Sequence, residues 1–212
     1  MASDRQFVNR RLHSLLGVIP VGLFLVVHLT VNFYATKGPE AFEKAAEFME
    51  NLPFLVFLQI FVIYLPILFH AIYGVYIAFQ SKNNVGNYGY FRNVMFMLQR
   101  VTGLITFVFV FWHVWETRIQ ILLGNKSLDF NLMADIVSNP WMLALYLIGL
   151  ISTTFHFSNG LWSFLVSWGI TVGPRAQRVS TYVTLVIFVL LSAIGVAALL
   201  AFANPSDVAG LY

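Results

Sequence analysis

Five long apolar runs separated by short polar connections organise this chain. A helix crossing the hydrocarbon core of a bilayer needs about 20 mostly apolar residues. Runs at about 12–35, 53–79, 94–121, 140–168 and 182–203 reach that length. The pattern predicts an all-α membrane protein, a single integral domain over 1–212 with five transmembrane helices. The first connection carries Lys37, Glu40, Glu43, Lys44, Glu47 and Glu50, and its Ala-rich stretch predicts a short surface helix. The second, 80–93, is polar and glycine-bearing, and the fourth turns through Gly173-Pro174.

Four of the five histidines interrupt these apolar runs. His28, His70, His113 and His156 fall one to each of the first four spans, at intervals of 42, 43 and 43 residues. An ionisable side chain inside a membrane helix is costly and is usually retained for function. The fifth histidine, His13, sits beside Arg10 and Arg11 at a span boundary. There a solvated ring is expected, and it is not counted as a ligand.

Composition narrows the chemistry. The 212 residues are 59% hydrophobic and 10% charged, with a mean hydropathy of +0.78, which belongs in a bilayer. The first apolar run is longer than the roughly 7–15 residues of a signal-peptide core and is read as a retained helix. With no cysteine, disulfides, thiolate-held iron–sulfur clusters and covalent C-x-x-C-H haem attachment are excluded on this chain.

Charge gives direction. Arg5, Arg10, Arg11, Lys82, Arg92, Arg100, Arg175 and Arg178 flank one side of the spans, against Lys37, Lys44, Arg118 and Lys126 on the other. The positive-inside rule then places the N-terminus in the cytoplasm and the C-terminus outside. The net charge of +3 is sorted by membrane side, and no nucleic-acid partner is expected.

Direction gives depth at a helical rise of about 1.5 Å per residue. His28 and His113 come late on outward-running spans, while His70 and His156 come late on inward-running ones. The histidines therefore sort into an outer pair, His28 with His113, and an inner pair, His70 with His156, separated by about 15 Å along the normal. A repeat supports this pairing. His28 to His113 is 85 residues and His70 to His156 is 86, and residues 69–76 (FHAIYGVY) parallel 155–162 (FHFSNGLW). The first four spans thus read as a bundle built from a parallel two-helix repeat.

Structural zinc gathers four ligands at one point, whereas depth divides these into twos. Two axial imidazoles suit haem iron, which predicts two bis-histidine haem b sites serving electron transfer. Gly74 and Gly160, each four residues after a histidine, and Gly17 and Gly103 at the inner depth would let a flat macrocycle approach the backbone. Small-residue helix packing explains the same glycines. Haem propionates need cations or donors, and Arg100, Arg11, His13, Ser14 and Arg175 are the inner candidates; interfacial anchoring is the alternative for each. A haem-free, histidine-lined proton or metal-ion transporter is the competing reading from another class. Helix five, with Ser192, Ala193, Gly195, Ala197 and Ala198, reads as a packing helix, and Pro20 and Pro66 are expected to kink their spans.

Residues 10–20 (RRLHSLLGVIP), 69–79 (FHAIYGVYIAF), 98–118 (LQRVTGLITFVFVFWHVWETR) and 155–164 (FHFSNGLWSF) resemble the dihaem cytochrome b subunit of succinate:quinone oxidoreductase. The chain is most similar in kind to the five-helix, single-subunit form of Gram-positive bacteria, from about residue 5 to residue 203. The resemblance implies a place in a bacterial cell membrane, as an anchor for a flavoprotein and an iron–sulfur subunit on the cytoplasmic face. It further implies electron flow from succinate through an inner, higher-potential haem and an outer haem to quinone, typically menaquinone. Succinate oxidation would reside on the partner chains. The quinone is then expected beside the outer haem, with Glu50, Glu116, Trp115 and Asn32 as candidates and interfacial anchoring as their alternative. The anchor of a hydrogenase, a formate dehydrogenase or a fumarate reductase shares this architecture.

Overall fold

The computed structural model describes residues 2–82 and 84–206. Among them five helices are long and apolar enough to cross a membrane: Asp4–Lys37, Leu55–Gln80, Phe91–Leu122, Pro140–Ser167 and Pro174–Ala203. The first and fifth begin earlier than hydropathy predicts. Arg5, Arg10 and Arg11 continue the first helix beyond its apolar run, and Pro174 opens the fifth at the first helical position, where its missing N–H costs nothing.

The two prolines act differently. The first span breaks at Ile19, and regular winding resumes at Pro20. In the second span, Leu58–Tyr64 winds as a π-helix, and the Leu65 N–H reaches back to the Ile60 carbonyl. Pro66 follows this wide turn and opens the regular segment Leu65–Gln80 that carries His70. A second π stretch, Trp115–Ile119, begins two residues after His113.

The second span packs chiefly on the first and the third on the fourth, while the fifth lies against the first and fourth. Small residues make the fourth–fifth contact close. Gly195 faces Leu150, and the buried Thr154 and Ser192 hydroxyls share a 2.8 Å hydrogen bond. The predicted surface helix forms at Pro39–Glu50. An additional one, Phe130–Val137, is capped by Asp129, whose side chain accepts from the Leu132 N–H. These two helices cover one end of the bundle, where Phe42, Phe130 and Phe202 pack edge to face or tilted in the main apolar core. The described residues of the polar connections, 81–82, 84–90 and 168–173, lie at the opposite end, with the N-terminal helix.

Candidate haem-ligand sites

The four span histidines form two pairs, called inner and outer after the predicted direction; the inner one lies at the end that carries the N-terminus. The His70 and His156 ring centres are 6.1 Å apart with planes 81° from parallel. Those of His28 and His113 are 5.9 Å apart at 72°. Two imidazoles on opposite sides of one metal, each with a nitrogen about 2.0 Å from it, place their ring centres about 6 Å apart. Along the first span, Gly17 touches His70 and His28 meets His113; those two levels are eleven residues apart, about 16 Å at the helical rise. Among the described residues no three His, Cys, Asp or Glu side chains converge as a metal site.

In the inner pair both rings are held by backbone. The Nδ1 of His70 lies 2.9 Å from the His13 carbonyl, and the Nδ1 of His156 lies 3.0 Å from the Gln99 carbonyl. A carbonyl only accepts, so Nδ1 carries the proton in each ring and Nε2 keeps its lone pair for a metal. Gly17 and Gly103 make this possible. A Cβ on Gly17 would lie 2.3 Å from Cε1 of His70, and one on Gly103 2.8 Å from Cε1 of His156. These two glycines therefore seat the histidine rings themselves, a closer role than admitting a macrocycle. Gly74 and Gly160 instead face His13 Nε2 and Gln99 Nε2, at 3.0 and 3.1 Å from an added Cβ.

His13 is not the solvated ring expected from its boundary position. It is half-buried and stacks on His70, with centroids 4.1 Å apart and planes 7° from parallel. Ser14 donates to the Arg11 carbonyl and accepts from Trp168 Nε1 at 3.1 Å. Arg11 donates to the Ser167 carbonyl and lies over the Phe7 and Trp168 rings. Arg100 donates to its own span at Phe96 and covers that ring at 3.3 Å, but its buried Nε has no partner among the described residues. An orphaned guanidinium nitrogen beside Gly103 suits an anionic oxygen such as a propionate. Arg175 is exposed.

Side chains surround the outer pair. His113 Nδ1 lies 3.4 Å from the Tyr146 hydroxyl, which donates to Glu116 Oε2 at 3.3 Å; Trp112 Nε1 donates to that same oxygen at 3.0 Å. Asn32 turns back to its own span, donating to the His28 carbonyl at 2.8 Å and lying 3.5 Å from His28 Nε2. Trp115 is half exposed on the bundle surface, and Trp112 rather than Trp115 meets Glu116. Glu50 pairs with Arg118 at 3.6 Å, and Arg118 also donates to Gln59 at 3.3 Å. This contact joins the two π-wound stretches.

Residues 82–195 match the family described as Succinate dehydrogenase/Fumarate reductase transmembrane subunit. Over 202 residues, covering 95% of this chain and 100% of the relative, the sequence is 61% identical to the Succinate dehydrogenase cytochrome b558 subunit of Bacillus subtilis (strain 168). The chain belongs to the succinate dehydrogenase/fumarate reductase transmembrane subunit family. As a member it is a multi-pass membrane subunit of a larger enzyme and not that enzyme's catalytic unit.

Several residues around these sites escape a reading of apolar runs and histidines. Gln99 carries a signal in hindsight, since it stands 86 residues after His13 in the repeat. Asn159 is an amide inside an apolar span, and Tyr146 is the one tyrosine of that same span. Arg118 and Gln59 meet only because the second and third spans face each other at the outer end.

Proposed function

We propose that the chain is the cytochrome b anchor and electron conduit of a succinate dehydrogenase, with two b haems held by His70 with His156 and by His28 with His113. The observation that carries this reading is the pair of near-perpendicular imidazole couples at ring separations of 6.1 and 5.9 Å. A haem held between these imidazoles would supply one-electron transfer. His13 and Gln99 offer carbonyls that set the inner tautomers, Tyr146 offers its hydroxyl to His113, and Gly17 and Gly103 seat the inner rings. Arg100 is the principal propionate partner, with Arg11, His13 and Ser14 nearby.

The N-terminal end faces the cytoplasm, where a flavoprotein and an iron–sulfur subunit dock, and the C-terminus lies outside. Quinone, of the menaquinone class, is reduced beside the outer pair. Glu116 and Glu50 are positioned to hold or pass protons there. Asn32 lies against His28, and Trp115 borders the lipid-facing approach.

Reduced-minus-oxidised spectra of the purified chain, followed by succinate addition to the assembled complex, test this. Two b-type α-band components, both reduced by succinate, are expected. Absence of b-type absorption would overturn the haem reading, and haem that no succinate reduces would detach the chain from succinate oxidation.

A further inference from the structure

The two halves of the repeat hold their inner histidines by different means. On the third and fourth spans, Gln99 Nε2 donates to the His156 carbonyl at 3.0 Å, and Gln99 Oε1 accepts from Asn159 Nδ2 at 2.7 Å. Asn159 also donates to the Met95 carbonyl at 3.1 Å. The amide pair thus ties the turn bearing His156 to the turn whose carbonyl accepts from His156 Nδ1. A repeat offset of 86 residues places His13 where Gln99 stands and Tyr73 where Asn159 stands. That half has no amide link. His13 lies flat on His70 and tilts against Tyr73 at 6.0 Å. The glycines preserve the correspondence, because Gly160 faces Gln99 as Gly74 faces His13.

We infer that Gln99 and Asn159 are positioning residues that fix the ring plane of His156, with His13 and Tyr73 doing the same for His70 by stacking. The two histidines donate to equivalent carbonyls, so the carbonyls alone do not distinguish them. The side chains packed beside those carbonyls do, and they hold the planes at 81°. Gln99 acts from both ends of its amide: the NH2 group anchors the His156 turn, and the oxygen is held by Asn159. Glutamate at that position keeps the acceptor and loses the donor. Histidine and tyrosine, borrowed from the first half, replace the amide link with a stack.

The inference rests on haem ligation by His70 and His156, and low-temperature electron paramagnetic resonance of the oxidised, haem-loaded protein in membranes tests the two separately. Near-perpendicular axial imidazoles give low-spin ferric haem a large maximal g-value, and rotation toward parallel planes lowers it. Wild-type protein lacking any low-spin bis-histidine signal would sink the haem reading itself. With that signal present, Gln99→Glu and Asn159→Ala are expected to lower the maximal g-value of the inner haem and shift its midpoint potential, leaving the outer signal in place. The double variant Gln99→His with Asn159→Tyr is expected to restore the large g-value, because a stack replaces the link. If a single variant fails to assemble, the double variant still decides. An inner signal unchanged in the singles, or a double variant whose g-value falls as far as a single's, would overturn the positioning role.

Discussion

The inner and outer histidine pairs have nearly the same ring separation but different supports. At the inner end both Nδ1 atoms meet backbone carbonyls of a neighbouring span, at 2.9 and 3.0 Å. At the outer end His113 meets a tyrosine hydroxyl at 3.4 Å, and His28 is approached by Asn32 from its own span. A backbone carbonyl neither titrates nor changes rotamer, so the inner Nδ1 partners are fixed by how the helices pack, and side chains act there only on the planes of the rings. At the outer end the partners are side chains, a phenol hydroxyl beside His113 and an amide beside His28. That difference is the one the proposed function uses, with quinone placed at the outer pair.

The largest effect that would break this contrast comes from the ligands. His70→Ala is expected to remove about half of the bound haem, lose the inner component and impair assembly, since ligand binding and folding are coupled. Haem-to-protein ratios and difference spectra check it, and full occupancy of both haems would refute the inner pairing.

Overpacking the glycine seats comes next. Gly17→Ala brings a Cβ within 2.3 Å of the His70 ring, against 2.8 Å for Gly103→Ala at His156. Each forces a ring or helix to shift, at a cost of about 1–3 kcal/mol. Gly17→Ala should be the more damaging, and both should perturb the inner component selectively. Thermal melts and spectra of the two variants measure the order.

Much of this arrangement is legible along the chain. The five spans follow from hydropathy, and the parallel repeat and the sharing of depth by His28 with His113 and His70 with His156 are read from spacing and rise. What is not legible depends on rotation about the helix axes. Stacking of His13 on His70, and Trp112 rather than Trp115 meeting Glu116, are decided by side-on packing that a linear pattern does not encode. The π-wound stretches re-phase the spans around His70 and His113, so faces counted at 3.6 residues per turn drift there. The Phe130–Val137 helix is too short to register as an apolar run, although Asp129 before it is an N-cap signal. The earlier start of the first span reflects helix that leaves the hydrocarbon, where polar residues carry no hydropathy signal.

Removing one hydroxyl sharpens the contrast at the outer end. Tyr146→Phe breaks the link from His113 to Glu116 at a cost of about 1 kcal/mol. The expected result is a shifted outer midpoint potential with the inner one unchanged; equal shifts in both would erase the distinction. The smallest effect is expected from Arg118→Ala. Its ion pair with Glu50 is 3.6 Å long, and the two side chains are 26% and 41% exposed, so stability should fall by less than about 1 kcal/mol. Binding of a quinone-site inhibitor, followed by its effect on the outer potential, shows whether the Glu50–Arg118–Gln59 contact borders the quinone.

Potentiometric titration of the b-type absorbance across the four single His→Ala variants tests the central claim most directly. The account predicts that His28→Ala and His113→Ala abolish one redox step, while His70→Ala and His156→Ala abolish the other. Loss of the same step in His28→Ala and His70→Ala, with the other step retained, would contradict it.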